Sequence, residues 1–97
     1  MHAVVRTYAG ASAKEVFDVL EARKTDVERV IRAVPGFVSY SLIRTNGGGT
    51  SVTVCQDKAG ADRSVEVARD WIKANVSHVL ASDPPSISEG SVILQLN

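Results

Sequence analysis

Few residues in this chain could do chemistry, and they are scattered. His2 and His78 are the only histidines, Cys55 the only cysteine and Trp71 the only tryptophan. Arg6 lies inside the β-rich run His2–Tyr8. An arginine in mid-strand either pairs at a subunit interface or reaches into a pocket, where its planar fork can clamp a carboxylate or enolate through paired hydrogen bonds. Asp57 is a possible ion-pair partner for it. Tyr8 and Tyr40 could donate a phenolic proton to a substrate oxygen, although Tyr40, flanked by Val38 and Leu42, equally suits the core. Cys55 would need a nearby base and an electropositive setting to act as a nucleophile. The sequence places neither histidine beside it, and a small buried hydrophobe is its ordinary role. Trp71 and His78, seven residues apart, would share one helix face two turns apart. A packed aromatic and a helix-end histidine would also account for that pair. No histidine or cysteine pair has metal-ligand spacing, so no intrinsic metal is expected.

The elements that must position these groups follow from periodicity. His2–Tyr8 is an expected strand, and Ser12 with Glu15 matches a capping box opening a helix. Apolar residues then recur at helical spacing through Val16, Phe17, Leu20, Val27, Val30, Ile31 and Val34. Arg23 and Lys24 flank that stripe as snorkelling stems. Pro35-Gly36 ends the helix. Phe37–Thr45 and Ser51–Asp57 are β-rich runs joined by Asn46-Gly-Gly-Gly49, a hairpin signal. Because those glycines join two strands, they do not form a phosphate cradle. Asp62 is a plausible cap for a second helix with a stripe of Val65, Ala68, Ile72, Val76 and Val79, widened by Trp71 and Leu80. Ser91–Leu96 is the expected last strand.

The order β-α-β-β-α-β specifies an α+β, ferredoxin-like arrangement, with a four-stranded antiparallel sheet and two helices on one face. Alternation assigns Ala3, Val5, Val38, Tyr40, Leu42, Val52, Val54, Val92, Leu94 and Leu96 to the helix side. The opposite face would then present Val4, Arg6, Ser39, Ser41, Ile43, Thr53, Cys55, Ile93 and Gln95. That mixed surface suits a ligand cavity or a face closed by a second subunit. A one-residue slip would move a strand's whole set to the other side.

Composition narrows the function classes. Ninety-seven residues make one domain, and 44% hydrophobic content supports a core. Lysine and arginine total 11 and aspartate and glutamate total 11, so the net charge is zero. That balance argues against a nucleic-acid module or a polybasic membrane-surface protein. Apolar runs never exceed three residues, so no membrane span is expected. A lone cysteine and an opening without a signal-like apolar stretch point to a cytoplasmic setting.

Pro35-Gly-Phe-Val-Ser-Tyr40, the Arg44-Thr-Asn-Gly-Gly-Gly49 hairpin and the passage Val52-Thr-Val-Cys-Gln-Asp-Lys-Ala-Gly-Ala-Asp62 together resemble antibiotic-biosynthesis-monooxygenase-like domains. With the element order, the resemblance covers nearly the whole chain. It implies the dimeric α/β-barrel superfamily, in which two sheets face each other, and hence a homodimer. It also implies a small-molecule pocket between sheet and helices or at the dimer face. The activity implied is cofactor-independent oxygenation or isomerisation of a small enolisable substrate, against a non-catalytic binding or assembly module. Haem-degrading members use a first-strand asparagine, a tryptophan and an iron-binding histidine. Here the first strand offers Arg6 instead, and the Trp71–His78 spacing is short for that pattern. The ligand-binding candidates are therefore Arg6, Tyr40, Ser41, Cys55, Trp71 and His78.

Overall fold

The computed structural model describes residues 1–10, 12–80 and 85–96, and for residues 77–80 the backbone only. Its elements are β1 (His2–Ala9), α1 (Ala13–Ala22), α2 (Lys24–Arg32), β2 (Phe37–Thr45), β3 (Gly48–Cys55), α3 (Lys58–Leu80) and β4 (Ser86–Ser91). The strands form one sheet in the order β2-β3-β1-β4 with every neighbouring pair antiparallel, the ferredoxin-like topology.

The expected first helix is broken at Arg23, whose backbone (φ −117°, ψ 31°) leaves the helical region. Neither proline nor glycine causes this break; tertiary contacts hold it. The Arg23 guanidinium lies 5.5 Å from the centre of the Trp71 ring, bonds Asn75 on α3, and pairs with Asp26 at 2.7 Å. Its carbonyl accepts the amides of Asp26 and Val27 and so starts α2. The apolar stripe survives the break: Val16, Phe17, Leu20, Val27 and Ile31 are all buried. Pro35-Gly36 ends the segment as expected, with Gly36 at φ +77°, a left-handed conformation natural to glycine.

Helix α3 begins before the expected cap. Asp57, not Asp62, opens it, its Oδ1 accepting the Gly60 amide at 2.9 Å and its carbonyl the Ala61 amide. Asp62 instead pairs with Lys58 one turn back. Farther along, Val76 (φ −141°, ψ 41°) kinks the helix.

Two larger corrections concern the sheet. Cross-strand partners share a face, and the register pairs Val4 with Thr53, Arg6 with Ser51 and Tyr8 with Gly49. Val4, Arg6 and Tyr8 are buried and pack against the helices, so Arg6 lies beneath α1–α3 rather than on the far face. The same reversal puts Ser51, Thr53 and Cys55 inside and Val52 and Val54 outside. Strand β2 keeps Tyr40 and Leu42 on the helix side, because a bulge between Phe37 and Ser39 absorbs the extra residue. The outer face is then Ala3, Val5 and Thr7 on β1, Ser39, Ser41 and Ile43 on β2, Thr50, Val52 and Val54 on β3, and Ser86, Ser88 and Gly90 on β4. It carries no charge.

The last strand is Ser86–Ser91, paired with β1, and not Ser91–Leu96. Its final rung is the Val92 amide donating to the Met1 carbonyl at 2.9 Å, where β1 runs out. Val92, Leu94 and Leu96 therefore do not face the helices from the sheet, and Ile93 and Gln95 do not extend its far face. Ile93, Leu94 and Leu96 are 98%, 73% and 83% exposed.

The helix-to-sheet fit has one tight point. Gly49 lies under the Phe17 ring, and a Cβ there would come 2.2 Å from a ring carbon. Phe17 in turn meets Tyr8 edge-on, with ring centres 5.5 Å apart. Gly49→Ala should therefore lower stability by about 1–3 kcal/mol through overpacking. Urea denaturation reads this, and a midpoint equal to wild type would show that α1 does not seat on β3 in this way.

Candidate functional site

Strand β1 supplies the centre of the site. Arg6 projects from its helix-facing side and is only 4% exposed. Around it lies a cavity of about 10 Å³, room for roughly one water. The lining includes Tyr8 from β1, Tyr40 and Leu42 from β2, Ser51 from β3, Leu20 from α1, Val27, Val30 and Ile31 from α2, and Ala68, Trp71 and Ile72 from α3. Among the described residues, no acidic side chain lines it. The Arg6 Nε has no hydrogen-bond partner. An arginine carries its charge at any physiological pH. This cation has therefore been desolvated without a carboxylate to offset it, a costly arrangement in a folded protein. The Tyr8 ring offers partial compensation, its centre 5.5 Å from the guanidinium carbon. Asp57, the partner suggested by sequence, instead caps α3.

Both phenols in the cavity stay protonated. Burial pushes Tyr8 up to about 12, with Arg6 opposing the shift and Tyr40 adding to it. Burial also raises Tyr40, against the influence of Arg6 and of a side-chain hydrogen bond with Ser51. The described lining thus offers one fixed cation, two neutral phenols able to donate and the Ser51 hydroxyl, but no group that would be a base near neutral pH.

Of the sequence candidates, the structure brings together Arg6, Tyr40 and Trp71. Ser41 points to the outer face opposite Val52, away from the cavity. Cys55 is fully buried, grouped with Val4, Val34 and Ala61 rather than in the cavity lining. The register does set it opposite His2, a placement the sequence could not supply. Burial, reinforced by Asp57, raises the thiol pKa, the opposite of an activated nucleophile. His2 bonds Glu89 on β4 at 2.9 Å, and Lys58 approaches the same carboxylate. The side chain of His78 lies outside the described residues. The backbone leaves helical geometry at Val76, between Trp71 and His78, so their spacing does not give one continuous face. Ser51 was not singled out from sequence, and only the register reveals it beside Arg6. Among the described residues, no group of three His, Cys, Asp or Glu side chains could hold a metal ion, and no helix is long and apolar enough to cross a membrane.

Tyr8 sets a pH dependence. In the unfolded chain its phenol ionises near 10, whereas in the fold it holds its proton to about 12. Above pH 10 the unfolded state binds fewer protons, so stability falls as pH rises through that interval, by about 2–3 kcal/mol. Tyr8→Phe should flatten most of this loss in denaturation midpoints measured from about pH 9 to pH 12. Superimposable profiles for the two proteins would contradict the burial of Tyr8.

No protein-family model matches the sequence, and no curated protein matches it. Solved structures do. A protein of unknown function from Nitrosomonas europaea aligns with a TM-score of 0.72 at 17% identity, covering 99% of this chain and 91% of that one. SnoaB, a cofactor-independent oxygenase from Streptomyces nogalater, aligns with a TM-score of 0.66 at 17% identity, covering 98% and 95%. A dimeric ferredoxin-like protein from an uncultured marine organism aligns with a TM-score of 0.66 at 13% identity, covering 99% and 97%. The chain has the ferredoxin-like fold of antibiotic-biosynthesis-monooxygenase-like, dimeric α/β-barrel proteins.

Proposed function

We propose that this protein is a homodimer that binds a small organic molecule in the cavity beneath its helices, with Arg6 as the polar anchor. The observation that carries this reading is the unpartnered Nε of a buried arginine in an otherwise apolar and aromatic lining. A ligand bearing negative charge, or developing it, would supply the missing partner.

The dimer rests on two features. The outer sheet face is uncharged and made of small and β-branched residues, so a second copy can meet it without desolvating a charge. Beside it runs the exposed apolar segment Val92–Leu96, strand-forming residues left without a strand. Covering Ile93, Leu94 and Leu96 would contribute about 1.5–3 kcal/mol each. A dimeric structural neighbour supports the same reading. A cytoplasmic setting fits the single buried thiol.

The chemistry such a site favours is cofactor-free oxygenation, the class of the cofactor-independent oxygenase from Streptomyces nogalater. Here dioxygen would be the oxidant, turning a substrate methylene into a carbonyl while the second oxygen atom leaves as water. Arg6 would stabilise an enolate, Tyr8 and Tyr40 would hydrogen-bond its oxygens, and the apolar lining would exclude water. With no base among the described lining residues, the substrate must be acidic enough to lose its proton to water, Arg6 only stabilising the anion that remains. That requirement also favours a second reading, a binding module that performs no reaction.

Native mass spectrometry tests both parts of the proposal. Wild-type protein should fly as a dimer carrying a small molecule that Arg6→Met, still dimeric, does not retain. A monomer would contradict the assembly, and identical bound masses in the two proteins would contradict the role of Arg6.

A further inference from the structure

We infer that the cavity takes a monocarboxylate on an apolar body, its carboxylate paired with Arg6 and its body lying in the groove between α2 and β2. This rests on the cavity being a ligand site and goes on to name the ligand class.

Charge balance selects the head group. Among the described residues the lining holds one cation and no acid, so a monoanion leaves a neutral pair behind. A phosphate dianion would leave an uncompensated negative charge among apolar side chains. Geometry selects the carboxylate among monoanions, because the guanidinium edge that includes the free Nε is planar and can present two parallel N–H donors. The neutral phenols of Tyr8 and Tyr40 can add donated hydrogen bonds without altering that balance.

Space selects the body. The cavity holds no more than a water-sized group, so most of any ligand must lie elsewhere. Next to it runs a groove of about 380 Å³ between α2 and β2, and the two share Val27, Ile31, Tyr40 and Leu42. Those four side chains alone line both spaces, so parting them joins the groove to Arg6. The shared wall is apolar apart from the Tyr40 hydroxyl. The rest of the groove is lined by Phe37 and by Lys24, Glu28 and Arg32, the last two paired with each other at 2.7 Å at its exposed rim. A short aliphatic or single-ring body would replace water there while its acid reached through.

Trp71, the only tryptophan, lines the cavity and reports its occupancy by fluorescence. Three probes share a phenyl body: 3-phenylpropanoate, 3-phenylpropanol and phenyl phosphate. Titrated into wild type, the carboxylate should bind about tenfold to a hundredfold tighter than the alcohol, with the phosphate weaker than the carboxylate. Arg6→Met should erase that preference. This variant removes an unpaired buried charge and should fold, as circular dichroism would show. Arg6→Lys keeps the charge without the planar fork and should reduce the preference several-fold, so the test holds even if the methionine variant fails to fold. Equal binding of alcohol and carboxylate by wild type, or tighter binding of the phosphate, would overturn the carboxylate assignment and leave the ligand site standing. No fluorescence change with any probe would overturn the ligand site itself, and this inference with it.

Discussion

A guanidinium sealed beneath three helices with its Nε unpartnered is the constraint on which the rest of this structure depends. Burying it requires strand β1 to turn Val4, Arg6 and Tyr8 inward, and through the register this turns Ser51 and Thr53 inward on β3. Small neighbours shape the surroundings of the arginine: Gly49 makes room for Phe17, which meets Tyr8 edge-on, and Ser51 hydrogen-bonds Tyr40. The break at Arg23 belongs to the same arrangement. That arginine ties α2 to Trp71 and Asn75, and so fixes the helix whose Val27 and Ile31 close the cavity toward the groove.

Placing the polar groups inside leaves the outside of the sheet dry. The outer sheet face presents serine, threonine, valine and isoleucine, and the chain after β4 exposes Ile93, Leu94 and Leu96, which no described residue covers. Both faces of the sheet are thus suited to burial, the inner one against the helices and the outer one against the proposed second copy. On the proposed reading, ligand binding and dimerisation would draw on separate residues, Arg6 within the protomer and the uncharged outer sheet face between protomers.

Much of the fold was legible in the sequence. The helical stripe from Val16 to Ile31, the stop at Pro35-Gly36 and the Asn-Gly hairpin follow from local chemistry and are present, although β3 starts at Gly48 rather than Ser51. The element order holds apart from the break at Arg23 that divides the first helix. The strand faces were not legible, for a physical reason. Period-two alternation discriminates only when one face is wet, and here Ala3 and Val5 are as apolar as Val4 and Tyr8. Arg6 appeared to mark the solvent side of β1 because charges seldom enter cores; it marks the cavity instead. Strand β4 was misplaced because Ser86–Ser91 has weak strand propensity while Val92–Leu96 has strong propensity, and pairing with β1 decided between them. In the site, Arg6, Tyr40 and Trp71 were recognisable by residue type, whereas Ser51 needed the register and Ser41 and Cys55 were drawn in by the inverted faces.

The account stands or falls on where the Arg6 side chain is. Nitrogen-15 NMR of the arginine Nε–H groups measures this directly, with the Arg6 signal assigned by its loss in Arg6→Met. A guanidinium enclosed beneath the helices should give an Nε–H that exchanges with water far more slowly than those of exposed arginines such as Arg29 and Arg32. An Arg6 signal exchanging as fast as theirs would place the side chain in solvent and contradict the account at its centre.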